Sequence, residues 1–221
     1  MKLLSIDTTS NVCSVAILED SKLICELNST DMKTHSEKLM PLIDEALSQA
    51  NIKLADIEAI ACGIGPGSFT GIRIGIATVK AIAEVFSLPV IGVTSLETLA
   101  YATSGKTICS LIDSKNSQVY CGIFDENYTL LEDYIADDIN IAIKSLKKYS
   151  DITFVGNGAD LHEKILKEEF PNSNIVHNTV QSAFNLGKCA ITKKDVKNAD
   201  TILPLYLRKS QAERMRQENG N

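Results

Sequence analysis

The chain has 221 residues, 44% of them apolar, and a formal net charge of −6 with no run of five basic residues. That length holds one large domain or two small ones, and the acidic balance argues against strong direct binding to nucleic acid. No apolar stretch reaches the roughly 20 residues of a membrane-spanning helix, and the start of the chain carries no long apolar leader, so a cytoplasmic location is expected.

In chain order, Lys2–Asp7 and Val12–Glu19 read as strands around the polar turn Thr8–Asn11, and Lys22–Leu27 as a third strand after an acidic turn. Thr34 and Glu37 have the spacing of a capping box. Leu39, Ile43, Ala46, Leu47 and Ala50 mark one face of a helix over Ser36–Ala50. Strand Ala59–Ile64, helix Thr70–Phe86, strand Pro89–Val93 and helix Ser95–Thr103 follow. Beyond Gly105 come strands at Thr107–Asp113, Val119–Asp125 and Leu130–Tyr134. Helices near Ile139–Tyr149 and Ala159–Phe170 flank a strand at Ile152–Val155, and Gln211–Asn221 reads as a fraying polar end.

The densest local signal is Cys62–Gly75, CGIGPGSFTGIRIG, with five glycines and a proline between a strand and a helix. Glycine lets backbone approach closely, and the helix start behind it presents free N–H groups and a positive dipole end. The spacing matches neither a P-loop nor a dinucleotide fingerprint. A generic phosphate loop, a structural tight turn and an interface loop all remain open. The six cysteines are scattered without a C-x-x-C pair and read as reduced core thiols. His35, His162 and His177 never fall three or four apart, so no local metal pair is visible.

The opening pattern is repeated. Leu4–Asp7, the turn Thr8–Asn11 and Val12–Glu19 are echoed by Ser110–Asp113, Ser114–Ser117 and Gln118–Asp125. Each copy is a three-stranded meander followed by alternating helix and strand, which gives an α/β protein. A duplicated βββαβα unit is the plan of the actin-like ATPase (ribonuclease H-like) fold, with lobes expected at 1–105 and 106–221 and the segment around Leu203–Arg208 packing back on the first. In that plan Asp7 and Asp113 face one another, with Thr8, Thr9 and Ser10 beside the first, and Gly156 and Gly158 approach a base. Any nucleotide there would be ATP or ADP with magnesium, in the lobe cleft or at a subunit interface. The alternative for the two aspartates is a strand-end cap, or a residue inherited from an active ancestor.

The chain resembles the TsaB family, the small subunit of the bacterial machinery that makes threonylcarbamoyladenosine in tRNA. The residues carrying the resemblance are Ile6-Asp7-Thr8-Thr9, His35-Ser36-Glu37 with Leu39, Pro41, Ile43 and Asp44, Gly65-Pro66-Gly67-Ser68-Phe69-Thr70-Gly71 with Arg73 and Gly75, and Val93–Glu97. Asp113 with Gln118–Tyr120, Gly156 with Gly158, and Tyr206-Leu207-Arg208 extend it to nearly the whole chain. The resemblance implies kinship to TsaD, the catalytic subunit, whose relatives hold a metal through H-x-x-x-H. Ser95 and Leu99 stand at the matching positions, and neither is an adequate ligand. A non-catalytic scaffold is therefore expected, with no required cofactor. Its partners would be a TsaD-like subunit and a TsaE-like ATPase, with tRNA met only through the complex and a homodimer formed when the chain is alone.

Gly71, Gly75, Thr78 and Ile82 form one stripe on the second helix, and its G-x-x-x-G invites close approach by another helix. The expected interface is that stripe with Gly67, Ser68, Phe69, Thr70 and Arg73, alongside His35, Leu39 and Ile43 of the first helix. Packing of the glycine face on the protein's own sheet is the alternative. Arg73 lies in the first turn, where the dipole disfavours a cation, so an acidic group or a phosphate is expected near it, with a partner's carboxylate favoured, unless it is simply solvated. A weak ATPase or phosphotransferase using Asp7, Asp113 and magnesium is the rival function.

Overall fold

The computed structural model describes residues 1–30, 35–193 and 196–208. Thr34 of the expected capping box and the Gln211–Asn221 end lie outside the described residues. The elements of the first half are β1 (Lys2–Asp7), β2 (Cys13–Glu19), β3 (Lys22–Ser29), α1 (His35–Ala50), β4 (Ala59–Gly63), α2 (Phe69–Phe86), β5 (Val90–Val93) and α3 (Ser95–Ala100). There follow β6 (Thr107–Asp113), β7 (Gln118–Asp125), β8 (Ile135–Asp138), α4 (Ile139–Leu146), β9 (Ile152–Val155), α5 (Asn157–Leu161), α6 (Glu163–Glu169), β10 (Asn174–Val176), α7 (Ala183–Lys193) and β11 (Val196–Lys197).

Two mixed sheets carry the repeat. The first has the order β11-β5-β4-β1-β2-β3 and the second β10-β9-β6-β7-β8. In each, a strand ending in aspartate (β1, β6) pairs antiparallel with the next strand and parallel with the one after the intervening helix. β1 and β6 therefore occupy equivalent places, and Asp7 and Asp113 both end the first strand of a meander.

Both faces of the first sheet are covered, so its strands read as nearly continuous apolar runs. Leu4, Ile6, Val15, Ile17 and Ile60 pack with Leu39 and Ile43 of α1 and with Ile72, Ile76 and Val79 of α2. The alternate residues Leu3, Ala16, Leu18, Ala61 and Ile91 pack with Ala183, Leu186 and Ala190 of α7 on the opposite face. The start of α7 is held by the β-meander. Glu26 accepts hydrogen bonds from Ser182 Oγ at 2.7 Å and from the Phe184 amide at 2.9 Å, and Ser14 Oγ accepts from the Ala183 amide at 2.8 Å. A carboxylate at a helix N-terminus satisfies free amides and faces the positive end of the dipole.

In the second sheet, Cys109, Leu111, Val119 and Ile123 pack with α4 to α6 through Ile139, Ile143, Ala159 and Leu166. The other face takes α3: Leu96, Leu99 and Ala100 share a core with Ile108, Ile112, Tyr120 and Phe124. α3 also packs on α7, so these two helices lie between the sheets.

The structure departs from the sequence reading at five elements. The third strand of the second meander is β8, not Leu130–Tyr134; Leu130 makes a single bridge to Phe124. β8 is an edge strand ending in Asp137 and Asp138, and edge strands tolerate such charge, which hid it from the apolar pattern. The expected helix Ala159–Phe170 is two helices, broken at His162 with φ −103° and ψ 15°. Helix α7 and the short strands β10 and β11 were not anticipated. Among the described residues no helix is long and apolar enough to cross a membrane.

Candidate functional site

The turn after β1 and the glycine-rich loop after β4 pack directly on each other. The Asp7 side chain is fully buried and Thr8 and Thr9 are 1% exposed. Asp7 Oδ1 accepts from the Thr9 amide at 2.8 Å and from Thr9 Oγ1 at 2.7 Å. Asp7 Oδ2 is buried and has no hydrogen-bond partner among the described residues. Burial raises the Asp7 carboxyl above its usual range, while the two Thr9 bonds and nearby His35 pull it down. Burial, with the Asp7 charge adding to it, also lifts the thiol of Cys13 to about 11 and pushes that of Cys62 higher still. Ser10 is half-buried; its Oγ accepts from the Val12 amide at 3.1 Å and its carbonyl accepts from His35 Nε2 at 2.8 Å.

The glycines serve this packing. A Cβ at Gly63 would stand 2.9 Å from Thr9 Cγ2 and 3.0 Å from Asp7 Oδ2. Gly65 adopts φ +101°, where a side chain is strained, and a cis bond joins it to Pro66. A Cβ at Gly67 would run into Thr9 O, the carbonyl that accepts from the Ser68 amide at 2.8 Å. Ser68 then caps α2 by accepting from the Gly71 amide at 3.1 Å. On the next turns, a Cβ at Gly71 would run into Thr8 O and one at Gly75 into Thr8 Oγ1. Thr8 Oγ1 donates to Gly71 O at 2.8 Å.

The G-x-x-x-G face of α2 is thus filled by the protein's own turn. Gly71, Gly75 and Ile82 are buried, as are Leu39 and Ile43 of α1; Gly67, Phe69, Thr78 and His35 are half-buried. This corrects the expected interface stripe, because helical periodicity finds a stripe without saying which side the core lies on. The N-cap Ser68 and, on α2, Thr70, Arg73, Ala77, Ala81 and Val85 are among the exposed residues, as are Met40, Pro41 and Asp44 on α1. Within the chain, Arg73 Nε donates to Tyr206 Oη at 2.9 Å and its guanidinium lies 5.8 Å from the centre of that ring.

The residues at the metal positions do not fit a metal. Ser95 Oγ, fully buried, donates to Thr9 Oγ1 at 2.8 Å, extending a chain of hydroxyls to Asp7. Leu99 is 1% exposed, within the α3–β6–β7 core. α3 itself is capped by Thr94 and Glu97, which bond reciprocally at 3.1 and 2.8 Å. Among the described residues no group of three His, Cys, Asp or Glu could hold a metal ion.

The two aspartates differ in setting. Asp113 is half-buried at the second turn; its amide donates to Asn157 Oδ1 at 3.1 Å and its Oδ1 accepts from the Lys115 amide at 3.0 Å. Gly156 and Gly158 are buried against β6. A Cβ at Gly156 would run into Leu111 O, and one at Gly158 would stand 2.9 Å from the Leu111 carbonyl carbon. These glycines allow close packing of α5 on β6. Asp7, Thr8 and Thr9 are sealed beneath the glycine loop, while Ser10 is half-buried and Asn11 is exposed. The hydroxyl link through Ser95 and the role of Tyr206 were not legible in the sequence, since both are contacts between segments far apart in the chain.

Residues 28–215 match the family profile described as TsaD: tRNA N6-adenosine threonylcarbamoyltransferase. The TsaB protein of Bacillus subtilis, described as a tRNA threonylcarbamoyladenosine biosynthesis protein, is 30% identical over 223 residues, covering 96% of each chain. Among solved structures, YeaZ from Pseudomonas aeruginosa superposes with a TM-score of 0.77 at 24% identity, covering 93% of this chain and 99% of that one. The ROK hexokinase of Thermus thermophilus shares the fold alone, with a TM-score of 0.53 at 11% identity, covering 88% and 99%. Two equivalent meander sheets and these likenesses establish a duplicated actin-like, ribonuclease H-like architecture. With the whole-length match to the Bacillus protein, the chain belongs to the TsaB family of tRNA threonylcarbamoyladenosine biosynthesis proteins, within the wider TsaD-like group.

Proposed function

We propose that this chain is a non-catalytic scaffold subunit of tRNA threonylcarbamoyladenosine synthesis, which binds a TsaD-like catalytic subunit and holds it in a productive conformation. The observation that carries the reading is the fate of the two metal positions: Ser95 is spent on a hydrogen bond to Thr9, and Leu99 on the core between the sheets. A helix built this way supports structure and leaves no place for a metal-bound substrate. The partner surface would be the outer face of α1 and α2, where Met40 is 51% exposed and Val85 76%. Ala77 and Ala81 sit on the same outward stripe, and small side chains there let a second helix come close.

On this reading the partner supplies the chemistry and this chain shifts the population of its active form. A TsaE-like ATPase would join the pair, tRNA would be contacted through the complex, and two copies would associate weakly by the same helices when no partner is present. The setting would be the cytoplasm, and the chain would need no cofactor of its own. The experiment is threonylcarbamoyl transfer with purified components. Transfer should require this chain together with the TsaD-like subunit, should be absent with this chain alone, and should survive Asp113→Asn. Turnover by this chain alone, abolished by Asp113→Asn, would replace the scaffold with the ATPase or phosphotransferase reading.

A further inference from the structure

Neighbouring residues near the end of the described chain are anchored on opposite halves of the molecule. The Leu205 amide donates to Ile64 O at 2.8 Å, and Leu205 O lies where a Cβ on Gly65 would come within 2.9 Å. The Tyr206 ring stacks on Phe69, with centroids 4.7 Å apart and planes 12° apart, and its hydroxyl accepts from Arg73 Nε. Leu207 packs against the core of α3, β6 and β7. Arg208 then reaches the second sheet. Its Nε donates to Ala136 O at 3.0 Å, its Nη1 to Gln118 Oε1 and to Ser114 Oγ at 3.5 Å, and its guanidinium lies 5.7 Å from the centre of the Tyr120 ring.

We propose that Leu205–Arg208 is a two-ended clasp, through which a disturbance at the first turn of α2 is transmitted to the β7–β8 edge and the Ser114–Ser117 turn. One residue separates the two anchors, and two extended residues span roughly 7 Å, so there is no slack to absorb a movement at either end. Tyr206 is 39% exposed and covers Phe69 beside the exposed Arg73. Anything that docks on this end of α2 must incorporate the ring or lift it, and lifting it draws on Arg208. The turn at the far end is suited to report this. Lys115, Asn116 and Ser117 all hold positive φ, a conformation that persists when its surroundings enforce it. The clasp does not depend on the identity of the partner, and its test uses the isolated chain.

The test is amide hydrogen exchange in the full-length protein carrying Tyr206→Ala, Tyr206→Phe or Arg208→Ala. The reporters are the Leu205 amide at one end and the Ser114 and Gln118 amides, which close the second turn, at the other. Tyr206→Ala should speed exchange of Ser114 and Gln118 by about fivefold, as a coupling of roughly 1 kcal/mol requires. Arg208→Ala should do the same at Leu205, and Tyr206→Phe, which keeps the ring, should have the smaller effect. Faster exchange confined to the mutated end in both alanine variants overturns the clasp. Should Tyr206→Ala unfold the protein as a whole, the Leu205 amide in Arg208→Ala decides alone.

Discussion

Ser95 donates its hydroxyl to Thr9 Oγ1 at 2.8 Å, and Thr9 Oγ1 donates in turn to Asp7 Oδ1 at 2.7 Å. α3, on which the resemblance placed a metal pair, is here bonded to the strand-end aspartate, and the aspartate is sealed. Ser95→Ala should cost about 1 kcal/mol, the net worth of one buried hydrogen bond, seen as a melting temperature lower by roughly 2–4 °C. Installing histidines at Ser95 and Leu99 together should not create a metal site, since both positions are closed and Leu99 is core. The double variant should melt well below Ser95→Ala and hold no stoichiometric zinc by elemental analysis; a stable, zinc-loaded product would contradict this.

Asp7 gives a pH signature of unusual sign for a carboxylate. Its folded value is raised, mainly by burial, above an unfolded value of about 3.9. The native state therefore binds more protons between those two values, and this group's contribution to stability falls as pH rises through that window. Above the raised value the cost of a buried charge is present in full. Asp7→Asn, which keeps the Thr9 bonds and removes the charge, should match or exceed the wild type in melting temperature at neutral pH. Its advantage should shrink as the pH is lowered toward 4. An advantage that grows on acidification would mean the carboxylate is stabilised as an anion.

Replacing a helical glycine by alanine usually gains about 1 kcal/mol. At Gly71 and Gly75 it should instead cost about 1–3 kcal/mol, because each new methyl meets Thr8. The two sites should differ in rescue. The obstacle at Gly75 is Thr8 Oγ1, so Thr8→Ala should recover part of the loss in the double variant. The obstacle at Gly71 is the Thr8 carbonyl, which no side-chain change removes. Urea unfolding of the three single and two double variants separates these outcomes, and equal rescue at both sites would refute the packing.

Much of this architecture was legible in the chain. β1, β6 and β9 run over the residues expected, and α1 and α2 differ from expectation by one residue at the start, because apolar periodicity and turn residues were unambiguous there. α7 carried a readable signal in Ala183, Leu186, Gly187, Cys189 and Ala190, all buried, with Ser182 at its start, yet its polar flanks disguised it as a surface segment. The Asp7 turn was recognised as a site, but its sealing was not, since Gly63, Gly67, Gly71 and Gly75 gain their meaning from a turn about sixty residues earlier. Tyr206 and Arg208 were recognised by resemblance alone; that they tie two halves together depends on contacts no local pattern encodes.

The most direct measurement is light scattering of this chain mixed with the TsaD-like subunit from the same source, in wild type and as Ala77→Arg. Ala77 is exposed on the outer face of α2, so the substitution leaves the core intact. A one-to-one heterodimer is expected, weakened at least about tenfold by the arginine, which corresponds to roughly 1.4 kcal/mol at the interface. A heterodimer indifferent to Ala77→Arg would contradict the placement on α2, and no association at any attainable concentration would contradict the scaffold itself.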